Sequence, residues 1–151
     1  MIRGNIMEYQ KYDNLYVIKL DLGEKIRETL TKFLEQEQIK AGFLYGLGAV
    51  SQARIAHYPL SEKRYNEQHF EGEFEVTNIT GNIAMADSKP FLHMHITLGD
   101  RKENNYNIFG GHLVEGTVEP TLEILLTALP LTITRKFDEK TGLKLLDLKS
   151  K

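Results

Sequence analysis

The sequence predicts an α+β fold, a mostly antiparallel sheet with one main α-helix packed on it. Three observations predict this class. A single segment carries a full helical signature. Strand-like runs recur at short spacing, with turn residues between them. Alternating strand–helix units, the mark of a doubly wound parallel sheet, are not visible.

Asn14 to Leu20 (NLYVIKL) reads as a strand from its β-branched and aromatic content. Asp21 then offers an N-cap, and Glu24 completes an Asp-x-x-Glu capping box. A helix is expected over roughly Glu24 to Gln36. Its apolar positions Ile26, Leu30, Phe33 and Leu34 share one face, and Glu24, Arg27, Glu28, Lys32 and Glu35 take the other faces. Ala41 to Val50 (AGFLYGLGAV) is apolar with three glycines, which suits a strand with a bulge or a close backbone approach. Its Gly46-Leu47-Gly48 is not a phosphate loop, because no Lys-Ser or Lys-Thr follows and no helix is expected there.

Further strand-like runs are Ser51 to His57, Gly72 to Ile79, Gly81 to Met85, Leu92 to Leu98, Asn107 to Gly111, Thr121 to Ala128, Thr132 to Phe137 and Leu143 to Leu148. Turn signals fall at Asp87-Ser88-Lys89-Pro90, Asp100 to Asn105, and Asp138 to Gly142. The 151 residues suit one domain, with a core from about residue 15 to 137 and a C-terminal hairpin reaching residue 148.

Composition narrows the chemistry. With no cysteine, disulfides, thiolate metal sites, cysteine nucleophiles and iron–sulfur clusters are excluded. The lack of cysteine suits a reducing cytosol, and a cytoplasmic location is expected. No stretch approaches the ~20 apolar residues of a membrane helix, and the N-terminus has no signal-peptide core. The longest candidate, Leu122 to Leu131, is interrupted by Glu123, Thr127 and Pro130. A net charge of −2 does not recommend nucleic acid as a partner. Residues 1–129 carry 13 Lys/Arg against 18 Asp/Glu, whereas residues 130–151 carry 6 against 3. The basic end reads as a solvated face.

The informative stretch runs from Lys89 to Thr121. His93 and His95 stand two apart on an expected strand, so both imidazoles point to one face. His112 follows Gly110-Gly111. If the two runs pair as a hairpin, His112 comes beside the His-x-His pair. Three neutral imidazoles suit zinc, with copper, nickel or iron as weaker options. Three protein ligands leave a fourth position open, as in catalytic zinc, where bound water is acidified toward about pH 7. The plain alternative is that these are ordinary hydrogen-bonded histidines. His57 and His69, in a polar stretch, read as surface residues.

Other catalytic sets find little support. There is no Gly-x-Ser-x-Gly elbow and no His-Glu-x-x-His helix. Glu71, Glu73 and Glu75 alternate along one strand face and read as a solvated or interface edge. Asp100 and Glu115 lie near the histidines in sequence and are candidates for supporting the ligands or acting as a general base.

Four segments then resemble a known family: GLGAVSQARI (Gly46 to Ile55), EGEFEVTNITGNI (Glu71 to Ile83), LHMHITLGD (Leu92 to Asp100) and GGHLVEGTVEPTLEI (Gly110 to Ile124). In this order they are similar to the plants-and-prokaryotes conserved (PPC) domain, also called domain of unknown function 296. The resemblance spans about Leu15 to Phe137. It implies an α+β fold, a homotrimer, and a metal-binding set at His93, His95 and His112. In plants the domain follows AT-hook motifs in nuclear DNA-binding proteins. This chain has no Arg-Gly-Arg-Pro core; its only Arg-Gly, Arg3-Gly4, is followed by Asn5. The plant Gly-Arg-Phe-Glu-Ile segment reads Gly72-Glu73-Phe74-Glu75-Val76 here, with an acid in place of arginine.

Three functions are therefore weighed. The first is a zinc-binding homo-oligomeric module attached to DNA-related or regulatory processes. The second is a small zinc-dependent hydrolase or lyase using water held by the three histidines. The third is a structural trimer with no metal.

Overall fold

The computed structural model describes residues 7–102 and 105–148. Its elements follow in the order β1 (Glu8–Tyr12), β2 (Leu15–Asp21), α1 (Ile26–Gln36), β3 (Gly42–His57), β4 (Asn66–Ala86), β5 (Lys89–Lys102), β6 (Asn105–Ala128), β7 (Thr134–Asp138) and β8 (Leu143–Asp147). The expected α+β class is corrected by this structure. The fold is mostly β, with 70% of the described residues in strands, 8% helical, and one large eight-stranded sheet. It is not a sheet with one main helix packed on it, since α1 has only 11 residues.

The misreading has a physical cause. Runs that look separate in sequence are single long strands. Ala41 to Val50 and Ser51 to His57 fuse into the 16-residue β3, apart from Ala41 itself. Gly72 to Ile79 and Gly81 to Met85 lie in the 21-residue β4, and Asn107 to Gly111 and Thr121 to Ala128 lie in the 24-residue β6. The close backbone approach expected at the glycines of Ala41–Val50 is present, and Gly81 makes another. A Cβ on Gly46 would stand 2.2 Å from the Glu123 carbonyl oxygen, and one on Gly81 would stand 2.7 Å from that of His93. Only glycine allows both contacts.

The long strands curl on themselves. β3 pairs with β4 and β6, and β5 pairs with β4 and β6, all antiparallel. The four therefore close a circuit, which removes most free edges. Register shifts at Gly46/Gly48 and Val50/Gln52 bend β3, as bulges do. β2 pairs with the second half of β6 over Leu15–Asp21, and β1, not expected from the sequence, pairs with β2. The interior is apolar: Ile18, Leu20, Ile79, Ile83, Met94, Ile96, Leu98 and Leu113 are fully buried, and no charged or polar residue among those described is.

Helix α1 presses Ile26, Leu30, Phe33 and Leu34 into this core, the face expected from their spacing. Its start differs from expectation. Asp21 ends β2, and Lys25 occupies the N-cap with no side-chain bond. Half of the capping box survives, since the Asp21 N–H donates to Glu24 Oε2 at 2.7 Å. The helical N–H groups turn elsewhere. Arg27 N donates to Glu115 Oε1 at 2.8 Å and Glu28 N to Glu115 Oε2 at 3.2 Å. A carboxylate from β6 thus caps the helix, favoured by the positive end of its dipole.

Two expected turns are present. Asp87 and Ser88, at φ 50° and 65°, link β4 to β5, while Lys89 and Pro90 already belong to β5. At Asp138 to Gly142, Asp138 Oδ2 accepts from Thr141 N at 2.9 Å and Thr141 Oγ1 at 2.8 Å. Part of the Asp100–Asn105 signal (residues 103–104) and the Arg3-Gly4 pair lie outside the described residues. Asp100 to Lys102 and Asn105 are strand residues. No helix among the described residues is long and apolar enough to cross a membrane.

Glu115→Ala removes the acceptor for the N–H groups of Arg27, Glu28 and Gly116. Loss of a helix cap costs about 1–2 kcal/mol. The expected result in urea unfolding is a lower midpoint with an unchanged slope.

Candidate metal centre

The β5–β6 register sets the geometry. His95 is paired directly with His112, and His93 stands two residues along β5. Leu92, Met94 and Ile96 are buried in the core, so alternation sends His93 and His95 outward. Gly110 and Gly111 let β6 run tightly between its neighbours just before His112. A Cβ on Gly110 would lie 2.2 Å from the Ile96 carbonyl oxygen.

The three imidazoles converge. One ring nitrogen from each of His93, His95 and His112 lies within 4.8 Å of the others, and ring centroids are 5.1, 5.2 and 5.6 Å apart. His95 is exposed, and His93 and His112 are half-buried. The surroundings favour neutral rings. Burial first, then the charges of Arg135, His95 and Arg27, lowers the His93 pKa to about 4. Burial, then His93 and Arg27, lowers that of His112 to about 4. Neutral imidazole is the form that binds metal.

The donor set fits a divalent ion that takes nitrogen ligands. Tetrahedral bonds of about 2.1 Å would hold the nitrogens about 3.4 Å apart. Small side-chain rotations close that gap from the present spacing. An imidazole-only set matches zinc chemistry and leaves one coordination position for another group.

Three residues around the cluster escaped the sequence reading. Arg27 stands off the apolar face of the helix, as its spacing predicts, yet it is half-buried where β5 and β6 part. Its Nε donates to Val114 O and its Nη1 to Leu92 O, both at 2.7 Å, and Nη2 donates to Leu113 O. Tyr65 lies with its ring centroid 5.0 Å from that of His112. Arg135, on β7, stacks over Phe91 at 4.9 Å and donates from Nη2 to Asn82 Oδ1 at 2.6 Å. Asn82 is the register partner of His93. No sequence motif marks these three, because each reaches the cluster through tertiary packing.

The other candidates fall elsewhere. Glu115 serves the helix N-terminus, and Asp100 is five residues beyond His95 on β5, 3.5 Å from Lys102. His57 and His69 are exposed, as expected, at the end of β3 and on β4. Glu71, Glu73 and Glu75 are exposed along β4.

The profile of the Plants and Prokaryotes Conserved (PCC) domain matches residues 7–130. The chain belongs to this family. Two solved structures are close in shape. A metal-containing protein from Archaeoglobus fulgidus is 31% identical, with a TM-score of 0.80, 94% of this chain and 98% of that one being covered. A protein from Bacteroides thetaiotaomicron, described as a candidate DNA-binding protein, is 26% identical with a TM-score of 0.90, covering 97% of this chain and all of the other. Among curated sequences, the bifunctional protein GlmU of Synechococcus sp. (strain JA-3-3Ab) is 28% identical over 137 residues. This chain spans only 19% of that protein's length, against 85% of its own.

Acid should destabilise the metal-free protein. An unfolded histidine titrates near 6.5, whereas folded His93 and His112 titrate near 4. Between those values the unfolded chain binds protons that the folded one refuses. Stability is therefore complete above about pH 6.5 and declines as pH falls toward 4. Thermal melts of chelator-treated protein across this range should show the decline, and His112→Gln should make it shallower.

Proposed function

We propose that this protein is a metal-binding, homo-oligomeric module of the PCC family, holding one divalent ion on His93, His95 and His112. The observation that carries the reading is the convergence of three imidazoles from two adjacent strands. Zinc is the preferred ion, since no thiolate or carboxylate stands among the three ligands. The metal-containing Archaeoglobus relative supports the same reading. The experiment is elemental analysis of wild type beside His93→Ala. The expected result is about one zinc per chain, lost in the variant. Stoichiometric metal in neither sample, even after zinc is offered, would leave the histidines a structural role.

An apolar outer face supports assembly into a homotrimer. Val17, Leu125 and Tyr45 are register neighbours across β2, β6 and β3, with Phe43 and Leu47 beside them. Val17 and Tyr45 are 60% and 58% exposed, and adjoining exposed apolar side chains mark an interaction surface. Tyr45→Lys should reduce the molar mass measured by light scattering, with the circular dichroism of the β-sheet retained.

An association with DNA is suggested by the Bacteroides relative. Its test is retention on duplex DNA with a steep loss of affinity as salt rises. The enzymatic reading, a hydrolase or lyase, draws on the exposure of His95, which leaves the outer side of the cluster accessible to a small molecule. A bound metal would supply Lewis-acid chemistry there.

A further inference from the structure

The C-terminal hairpin lies beyond the residues that match the family domain, which end at 130. Its two strands continue the sheet order beyond β4, as β4-β7-β8. At its base, Met85 N donates to Ile133 O at 2.8 Å, and β7 pairs with β4 at Met85↔Thr134. At its tip, Tyr58 Oη donates to Thr141 O at 2.7 Å and Lys63 Nζ to Glu139 O at 3.0 Å. Met85 belongs to the strand beside His93, and Tyr58 follows the strand beside His112. The strap is therefore tied down on both sides of the histidine cluster.

It delivers a cation to that cluster. The Arg135 guanidinium rests on Phe91, which shares an alternating strand face with His93 and His95. Nη1 donates to Lys144 O at 2.8 Å and Nη2 to Asn82 Oδ1 at 2.6 Å. Nε is buried without a hydrogen-bond partner. The two amino groups keep further N–H donors beyond these bonds. Burial lowers the Arg135 pKa, and the Tyr65 hydroxyl opposes that shift. Tyr65 itself lies against His112. Two arginines, Arg27 and Arg135, thus act electrostatically on the imidazoles of His93 and His112. Arg27 is engaged with three carbonyl oxygens, whereas Arg135 holds one carbonyl and one amide oxygen.

We propose that Arg135 and the C-terminal hairpin make the histidine cluster a receptor for a small carboxylate, held between the guanidinium and the ion carried by the three histidines. This rests on the metal reading above and assigns its open side a ligand class. Arginine suits the task because its planar fork matches the two carboxylate oxygens, and a site with excess positive charge selects an anion. Tyr65, its ring 5.0 Å from that of His112, flanks the cluster.

The test uses cobalt-substituted full-length protein, whose visible absorption reports changes around the ion, with acetate as the probe and chloride as the control. Wild type is compared with Arg135→Gln and Arg135→Lys, each first checked for cobalt content and thermal melting. The expected result is acetate-dependent spectral change in wild type, with the acetate Kd raised about tenfold in Arg135→Gln, as for loss of one charge-assisted hydrogen bond. Arg135→Lys, which keeps the charge and loses the fork, should fall between. Equal acetate affinity in wild type and both variants, with cobalt retained, would overturn this inference alone. Failure of wild type to take up cobalt would overturn the metal reading and this inference with it.

Discussion

The arrangement hangs on the guanidinium of Arg27. β5 and β6 pair from Lys102↔Asn105 up to His95↔His112, and there their recorded pairing ends. Backbone carbonyls on both strands lose their ladder partners at that point, and unpaired buried carbonyls are costly. Arg27 supplies the missing donors, bonding Leu92 on one strand and Leu113 and Val114 on the other. Burial pulls its pKa down, and the nearby Glu115 carboxylate opposes that shift. A five-donor planar group can span the gap between two strands; a lysine has only a point charge to offer.

Much follows from that wedge. It fixes the N-terminus of α1 against β6, where Glu115 then caps the first helical N–H groups. It holds the end of the His95–His112 pair, so the imidazoles are carried on a backbone that cannot fray. It also sets a positive charge near them, which adds to burial in keeping His93 and His112 neutral. One side chain thereby links helix docking, strand geometry and the electrostatics of the proposed metal site.

The parts of this structure that were legible in sequence are the local ones. The apolar face of α1 follows from the spacing of Ile26, Leu30, Phe33 and Leu34, and the outward pair His93 and His95 from strand alternation. The hairpin ending in Asp138–Gly142 is signalled by its turn residues. Strand length was not legible. Nothing in the residues marks that Gly72–Ile79 and Gly81–Met85, or Asn107–Gly111 and Thr121–Ala128, join into one strand, because continuity depends on the neighbouring strands that pair with them; a mostly β fold therefore reads as α+β in the sequence.

The sequence by itself determined which imidazoles could share a face and that any metal would have to be bound without thiolates. Those are consequences of residue type and of the two-residue period of a strand. Only the tertiary structure decided the pairing of His95 with His112, the bonding of Arg27 to the strands that carry them and the stacking of Arg135 on Phe91. These contacts join residues up to 87 positions apart in the chain. Register and long-range packing come from the closure of the whole sheet, and no local pattern encodes them.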